Sequence, residues 1–131
     1  MQNVYVLGFV LSPLADRVLL IRKRRPAAQA GLLNGIGGKV EPGESALEAM
    51  QRECREEAGL DGLDWAPTGS MGGHGWHVSV FATRTDRMRD AAAGTDEPLE
   101  EHQVTGLDPL QLAWGTLGMI MQSRDLTQEP G

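Results

Sequence analysis

The sequence predicts an α/β (α+β) fold in which helices flank a mixed β-sheet. Its 131 residues fit a single domain, 1–131. Strand-like apolar runs and helical stretches interleave along it without a regular βαβ rhythm. At 40% hydrophobic and 23% charged residues, the balance is that of a chain with a packed core.

Residues 4–11 are rich in β-branched and aromatic side chains and read as a buried strand. Pro13 and Asp16 supply a turn, and residues 17–24 return as a second strand. Residues 26–38 carry four glycines and read as loop. Residues 45–59 are helical. Short strands are expected at 68–71, 76–83 and 102–107. Residues 86–98 form a polar loop, expected to be flexible and a candidate flap over a site. Residues 110–122 are expected to form a closing helix, with a frayed tail at 127–131.

Twelve Lys and Arg against eighteen Asp and Glu leave a net charge of −6, which disfavours nucleic acid polymers and anionic membranes as partners. The longest apolar run, residues 5–11, is far short of the roughly 18 residues of a membrane span. With a single cysteine, Cys54, and no basic leader, a cytoplasmic setting is the expectation.

The helix at 45–59 carries the chemistry. Ser45 and Glu48 make a capping box, and Gly59 suits a left-handed C-cap that folds Leu60 back over Cys54. Leu47, Met50, Cys54 and Ala58 gather on one buried stripe. Glu53, Glu56 and Glu57 stand at i, i+3 and i+4 on an adjacent stripe, above which Ala46 and Ala49 leave room. Their mutual repulsion, near the negative end of the helix dipole, is relieved by a hard divalent cation such as Mg²⁺. A solvated acidic face is the bland alternative. Cys54, with acidic neighbours, is assigned to core packing.

Around this helix, Gly38-Lys39-Val40-Glu41-Pro42-Gly43-Glu44, seven further residues, and Arg52-Glu53-Cys54-Arg55-Glu56-Glu57-Ala58-Gly59-Leu60 resemble the Nudix box, residues 38–60. Cys54 fills the position of a bulky apolar residue. The resemblance implies a Nudix-type α/β/α sandwich whose box is a loop–helix–loop. It also implies hydrolysis of nucleoside diphosphates linked to another moiety, with Mg²⁺ or Mn²⁺. Carried over, Glu53, Glu56, Glu57 and the Gly37 carbonyl become metal ligands. Glu53 is also a candidate to accept the proton of the attacking water. Glu44 and Arg52 become a salt bridge that braces the loop against the helix. A further ligand is expected from Glu100 or Glu101, with Glu101 favoured; a solvent-facing role is the alternative for both.

Positive charge for a polyanionic substrate is sought at Arg22–Arg25, of which alternate residues face one side, with Lys23 favoured over a purely solvated strand end. Arg84, Arg87 and Arg89 are weaker candidates. Gly38 and Lys39 lie on the substrate side of the box. Residues 18–39 look like the subgroup that clears oxidised purine nucleoside triphosphates, which makes Asn34 a base-binding candidate; locally it is equally a turn residue before Gly35. Trp76, His77 and Trp114 are aromatic neighbours or core. The expected activity is Mg²⁺-dependent cleavage of a nucleoside triphosphate, such as 8-oxo-dGTP, to monophosphate and pyrophosphate. Alternatives are a sugar nucleotide, a dinucleoside polyphosphate, or a nucleotide sensor without turnover.

Overall fold

The computed structural model describes residues 3–113 and 115–127. The sheet is built on β1 (Asn3–Leu11), which has two kinds of neighbour. On one side it runs parallel to β6 (Trp76–Arg84), in register from Asn3 opposite Trp76 to Leu11 opposite Arg84, and β6 pairs antiparallel with β5 (Ala66–Gly73). On its other side β1 is shared. Its first half pairs with β4 (Ile36–Lys39), while Val10 and Leu11 pair with β2 (Arg17–Arg22). The outer strands β3 (Leu33–Asn34) and β7 (Leu99–Gln103) both pair with β2. The chain therefore steps at Asn34-Gly35 from the edge of β2 to the edge of β1, opening a cleft.

Both sheet faces are covered, which is why β1 and β2 read as nearly continuous apolar runs. On one face Val6, Val10, Leu19 and Ile21 pack with Met50, Cys54 and Trp65 under α1 (Ala46–Ala58). On the other Phe9, Leu11, Val18 and Leu20 pack with Leu112 and Ile120 beside α2 (Thr116–Leu126). A mixed sheet between helices is the architecture the sequence predicted. No helix among the described residues is long and apolar enough to cross a membrane.

Several boundaries differ from expectation. Residues 26–38 hold a 3₁₀ turn at Ala27–Gln29 as well as β3 and the start of β4. β2 stops at Arg22, because the Arg24 and Arg25 amides turn to the Glu97 carboxylate at 2.7 and 3.3 Å. The last strand lies at Leu99–Gln103 rather than 102–107; its ladder partner is β2, and Val104–Gly106 curls into a 3₁₀ turn that buries Val104. The closing helix begins only at Thr116, since Asp108 caps a separate 3₁₀ turn at Pro109–Gln111 and Gly115, at φ 79°, resets the chain. The residues expected to fray lie outside the described part, except Thr127, whose hydroxyl accepts from Arg84 Nε at 2.9 Å. Trp114 also lies outside it. The loop at 86–98 is tied to α1 by Ala92 and Gly94 amides donating to Ala58 and Glu57 carbonyls. On α1, Leu47 is exposed and Ala49 takes its place in the core.

Gly8 shows how tight that contact is: a Cβ there would meet Met50 Sδ at 2.6 Å and Trp65 Cζ3 at 2.8 Å. Gly8→Ala is expected to lower unfolding stability by about 1–3 kcal/mol through overpacking. The denaturant midpoint should fall while the slope stays unchanged.

Candidate active site

Local sequence fixes the orientation of α1. Ser45 Oγ accepts from the Glu48 amide at 3.1 Å, Glu48 Oε1 accepts from the Ser45 amide at 3.0 Å, and Gly59 closes the helix at φ 68°. With Met50, Cys54 and Ala58 against the sheet, the helix flank beside them brings Glu53 and Glu57 to β4. The strand there is bare. A Cβ on Gly38 would collide with the Glu53 carboxylate, and one on Gly37 would collide with the Val6 carbonyl. The Gly37 amide donates to Glu57.

Burial, and then the adjoining Glu53 carboxylate, lift Glu57 to about 8, with Lys23 opposing the shift. Glu56 stands apart. It is exposed and accepts from Arg52 Nη1 at 3.3 Å. The structure thus joins two of the three box carboxylates and leaves the third on the rim. Among the described residues, no three His, Cys, Asp or Glu side chains are already gathered as a metal cage. The donors present are nevertheless all oxygen, and while Arg52 pairs with Glu53, Glu57 is raised by burial with only Lys23 opposing. That is the chemistry a hard divalent cation fits.

Arg52 is the brace. Its Nε and Nη2 donate to the two oxygens of Glu44 at 2.7 and 3.0 Å, Nη2 also to the Lys39 carbonyl at 3.0 Å, and Nη1 to Glu53 at 2.8 Å. One guanidinium thereby fixes the loop, the end of β4 and a site carboxylate together. Lys39 itself is exposed and turned from the cleft. Cys54 is buried, and burial pushes its thiol up to about 12, which keeps it an inert core side chain.

The basic run at the end of β2 is matched against the 96–100 segment. Arg22 binds Glu100 through Nε and Nη2, both at 2.7 Å, Lys23 Nζ reaches Glu97 at 3.0 Å, and Arg25 grips Asp96. Glu101 is exposed and pairs with Arg17 at the far end of β2. Neither Glu100 nor Glu101 is brought to the Glu53–Glu57 pair. Glu97, which sequence reasoning passed over as loop, is 7% exposed and holds Lys23 from behind. Its signal was the acidic cluster at 96, 97, 100 and 101, equal and opposite to Arg22–Arg25. Arg84 instead ties α2 to Pro13, and Arg87 bonds the Asp61 carbonyl.

A cleft of about 570 Å³ runs across the step in the chain, lined among others by Tyr5, Lys23, Gln29, Asn34, Gly37 and Trp76. The candidates Lys23 and Asn34 thus share one cavity, which reaches the Glu53 carboxylate only through Gly38, the backbone that carboxylate lies against. Gln29 and Tyr5 were not foreseen as lining residues.

A family model described as the NUDIX domain matches residues 1–120. Over 74 residues the chain is 38% identical to the CTP pyrophosphohydrolase of Escherichia coli (strain K12), a match covering 50% of this chain and 55% of that protein. Over 59 residues it is 47% identical to the oxidized purine nucleoside triphosphate hydrolase of Mus musculus, covering 45% of this chain and 36% of that one. The chain thus spans about half or less of the length of these curated relatives. Among solved structures, one from a study of MutT from Aliivibrio salmonicida and Vibrio cholerae superposes with a TM-score of 0.75 at 19% identity, covering 93% of this chain and 99% of that one. The NUDIX domain of Shewanella oneidensis NrtR, complexed with ADP ribose, gives 0.78 at 17%, covering 95% and 88%. At these identities the structures share the fold.

The Glu100 pairing has a consequence for acid stability. Arg22, with His102 at 2.9 Å assisting, holds Glu100 down at about 2, against about 4.3 for a free glutamate. A depressed carboxylate contributes stability that is full above the free value and lost as pH falls towards the folded one. Glu100→Gln is therefore expected to flatten the decline in melting temperature between about pH 4 and pH 2. An unchanged slope would contradict the pairing.

Proposed function

The chain belongs to the NUDIX domain family, and on that premise we propose that it is a metal-dependent pyrophosphohydrolase cleaving a nucleoside triphosphate to monophosphate and pyrophosphate. The observation that carries this reading is the half-buried Glu53–Glu57 pair lying against Gly37 and Gly38, the same bare backbone that lines the cavity shared by Lys23 and Asn34. Nudix hydrolases generally need divalent metal ions. Here Glu53, Glu57 and the Gly37 carbonyl would hold Mg²⁺, with Mn²⁺ as a substitute, and Glu56 would join them from the rim by releasing Arg52. When bound, the ion neutralises phosphate charge and acidifies water.

The chain's own groups then divide the work. Lys23 faces the phosphates, steadied by Glu97. Glu53 takes the proton of the water that adds to phosphorus as the Pα–O–Pβ bridge breaks and pyrophosphate leaves. Arg52 and Glu44 keep Glu53 in place without touching substrate. Glu101 enters only as an outer contributor, because its Arg17 pairing must first open.

Two bases compete for this reading. The mouse relative suggests an oxidised purine such as 8-oxo-dGTP, and the Escherichia coli relative suggests cytosine. A panel of triphosphates, sugar nucleotides and dinucleoside polyphosphates with Mg²⁺, followed by pyrophosphate against phosphate release, tests the reaction. Pyrophosphate from triphosphates is expected. No turnover across the panel, with binding retained, would replace hydrolysis by sensing.

Glu57→Gln is expected to lower kcat/KM by a hundredfold or more, the scale of losing an electrostatic element at the reacting centre. Wild-type-like turnover in the folded variant would remove Glu57 from the metal site. EDTA should abolish turnover, and Mn²⁺ should restore it in place of Mg²⁺.

A further inference from the structure

The polarity of one amide decides what the base end of the cleft offers. Asn34 Oδ1 accepts the Gly35 N–H at 2.8 Å and the Thr116 hydroxyl at 3.1 Å. A backbone N–H only donates, so this contact fixes which end of the amide is oxygen. An amide oxygen has two lone pairs, and both are used. Asn34 Nδ2 donates to Gln29 Oε1 at 3.2 Å. That bond in turn orients Gln29, whose oxygen faces Asn34 while its NH₂ remains uncommitted.

Both amides line the cleft, and no carboxylate is among its described lining residues. Thr116 is 0% exposed at the first turn of α2, so its hydroxyl is held on Asn34 rather than on solvent. A base entering here meets N–H groups, one from Asn34 and two from Gln29.

We infer that Gln29 and Thr116 are positioning residues that lock the Asn34 amide as a donor, so that the cleft selects a nucleobase presenting two neighbouring acceptors. Cytosine does so at O2 and N3, and guanine at N7 and O6. Uracil and 8-oxoguanine are the matched exclusions, because each places an N–H where its counterpart has a ring-nitrogen acceptor. An N–H set against N–H leaves both without partners, which is how a polar site rejects an analogue. The inference rests on the nucleotide reading of this site and narrows the class of base within it.

The test compares kcat/KM for dCTP against dUTP and for dGTP against 8-oxo-dGTP with Mg²⁺. The acceptor-bearing member of each pair should be favoured tenfold or more. Gln29→Glu keeps an oxygen for Asn34 and replaces the free NH₂ by an acceptor, and it should reduce both preferences at least tenfold. Thr116→Val frees a lone pair on Asn34 and should reduce them severalfold, whereas Thr116→Ser should retain them. Melting temperatures within a few degrees of wild type separate these effects from loss of folding. Wild-type preference for uracil or 8-oxoguanine, or ratios unmoved in a folded Gln29→Glu variant, would overturn the inference. Should no triphosphate turn over, calorimetric titration with the same four nucleotides separates the two readings. A tenfold preference in Kd sustains the donor pocket without the reaction, and equal affinities or no binding overturn it.

Discussion

The Glu53 and Glu57 carboxylates lie against a stretch of backbone that carries no side chains, and the geometry of the candidate site depends on that approach. Gly37 and Gly38 let β4 pass beneath the carboxylates and along β1 with nothing between. Alanine at position 49 then lets α1 settle on the sheet. Two carboxyl groups are thereby held together, partly out of water, with Arg52 on Glu53 and Lys23 near Glu57 as the facing cations. Such a place is costly to leave uncompensated, and the surrounding hydrogen bonds all serve to keep it from relaxing.

The sheet topology extends this local constraint into a cavity. Because β1 gives half of one edge to β4 and half to β2, the chain must cross between them at Asn34-Gly35. That crossing sets the Asn34 and Gln29 amides in one cleft with Gly37 and Gly38, the backbone under the carboxylates. Arg52 links the loop before α1 to the end of β4, so the box moves as a unit with the sheet.

Much of this was legible in the sequence. The helix with its two caps and the two-faced strands β1 and β2 follow from short-range patterns that tertiary contacts reinforce, while the bracing role of Glu44 and Arg52 came from the resemblance to the Nudix box. What was not legible depended on partners distant in the chain. Leu47 looked like core by periodicity, yet the close sheet admitted Ala49 instead. β7 carries too few apolar residues to announce itself and exists because β2 needs a partner. Glu97 read as loop because its burial is justified only by Lys23 and two backbone amides some seventy positions earlier. Gln29 and Thr116 acquire meaning only around Asn34.

Lys23 reaches the cleft with its ammonium already engaged by Glu97, 3.0 Å behind it. An incoming polyanion does not meet a bare cation; it must share one. Its attraction to Lys23 would be the difference between two pairings rather than the whole of either, so on the proposed reading the hold on an anion, departing as well as arriving, is moderated. A strongly acidic molecule thereby keeps a door that its own ligands can leave through.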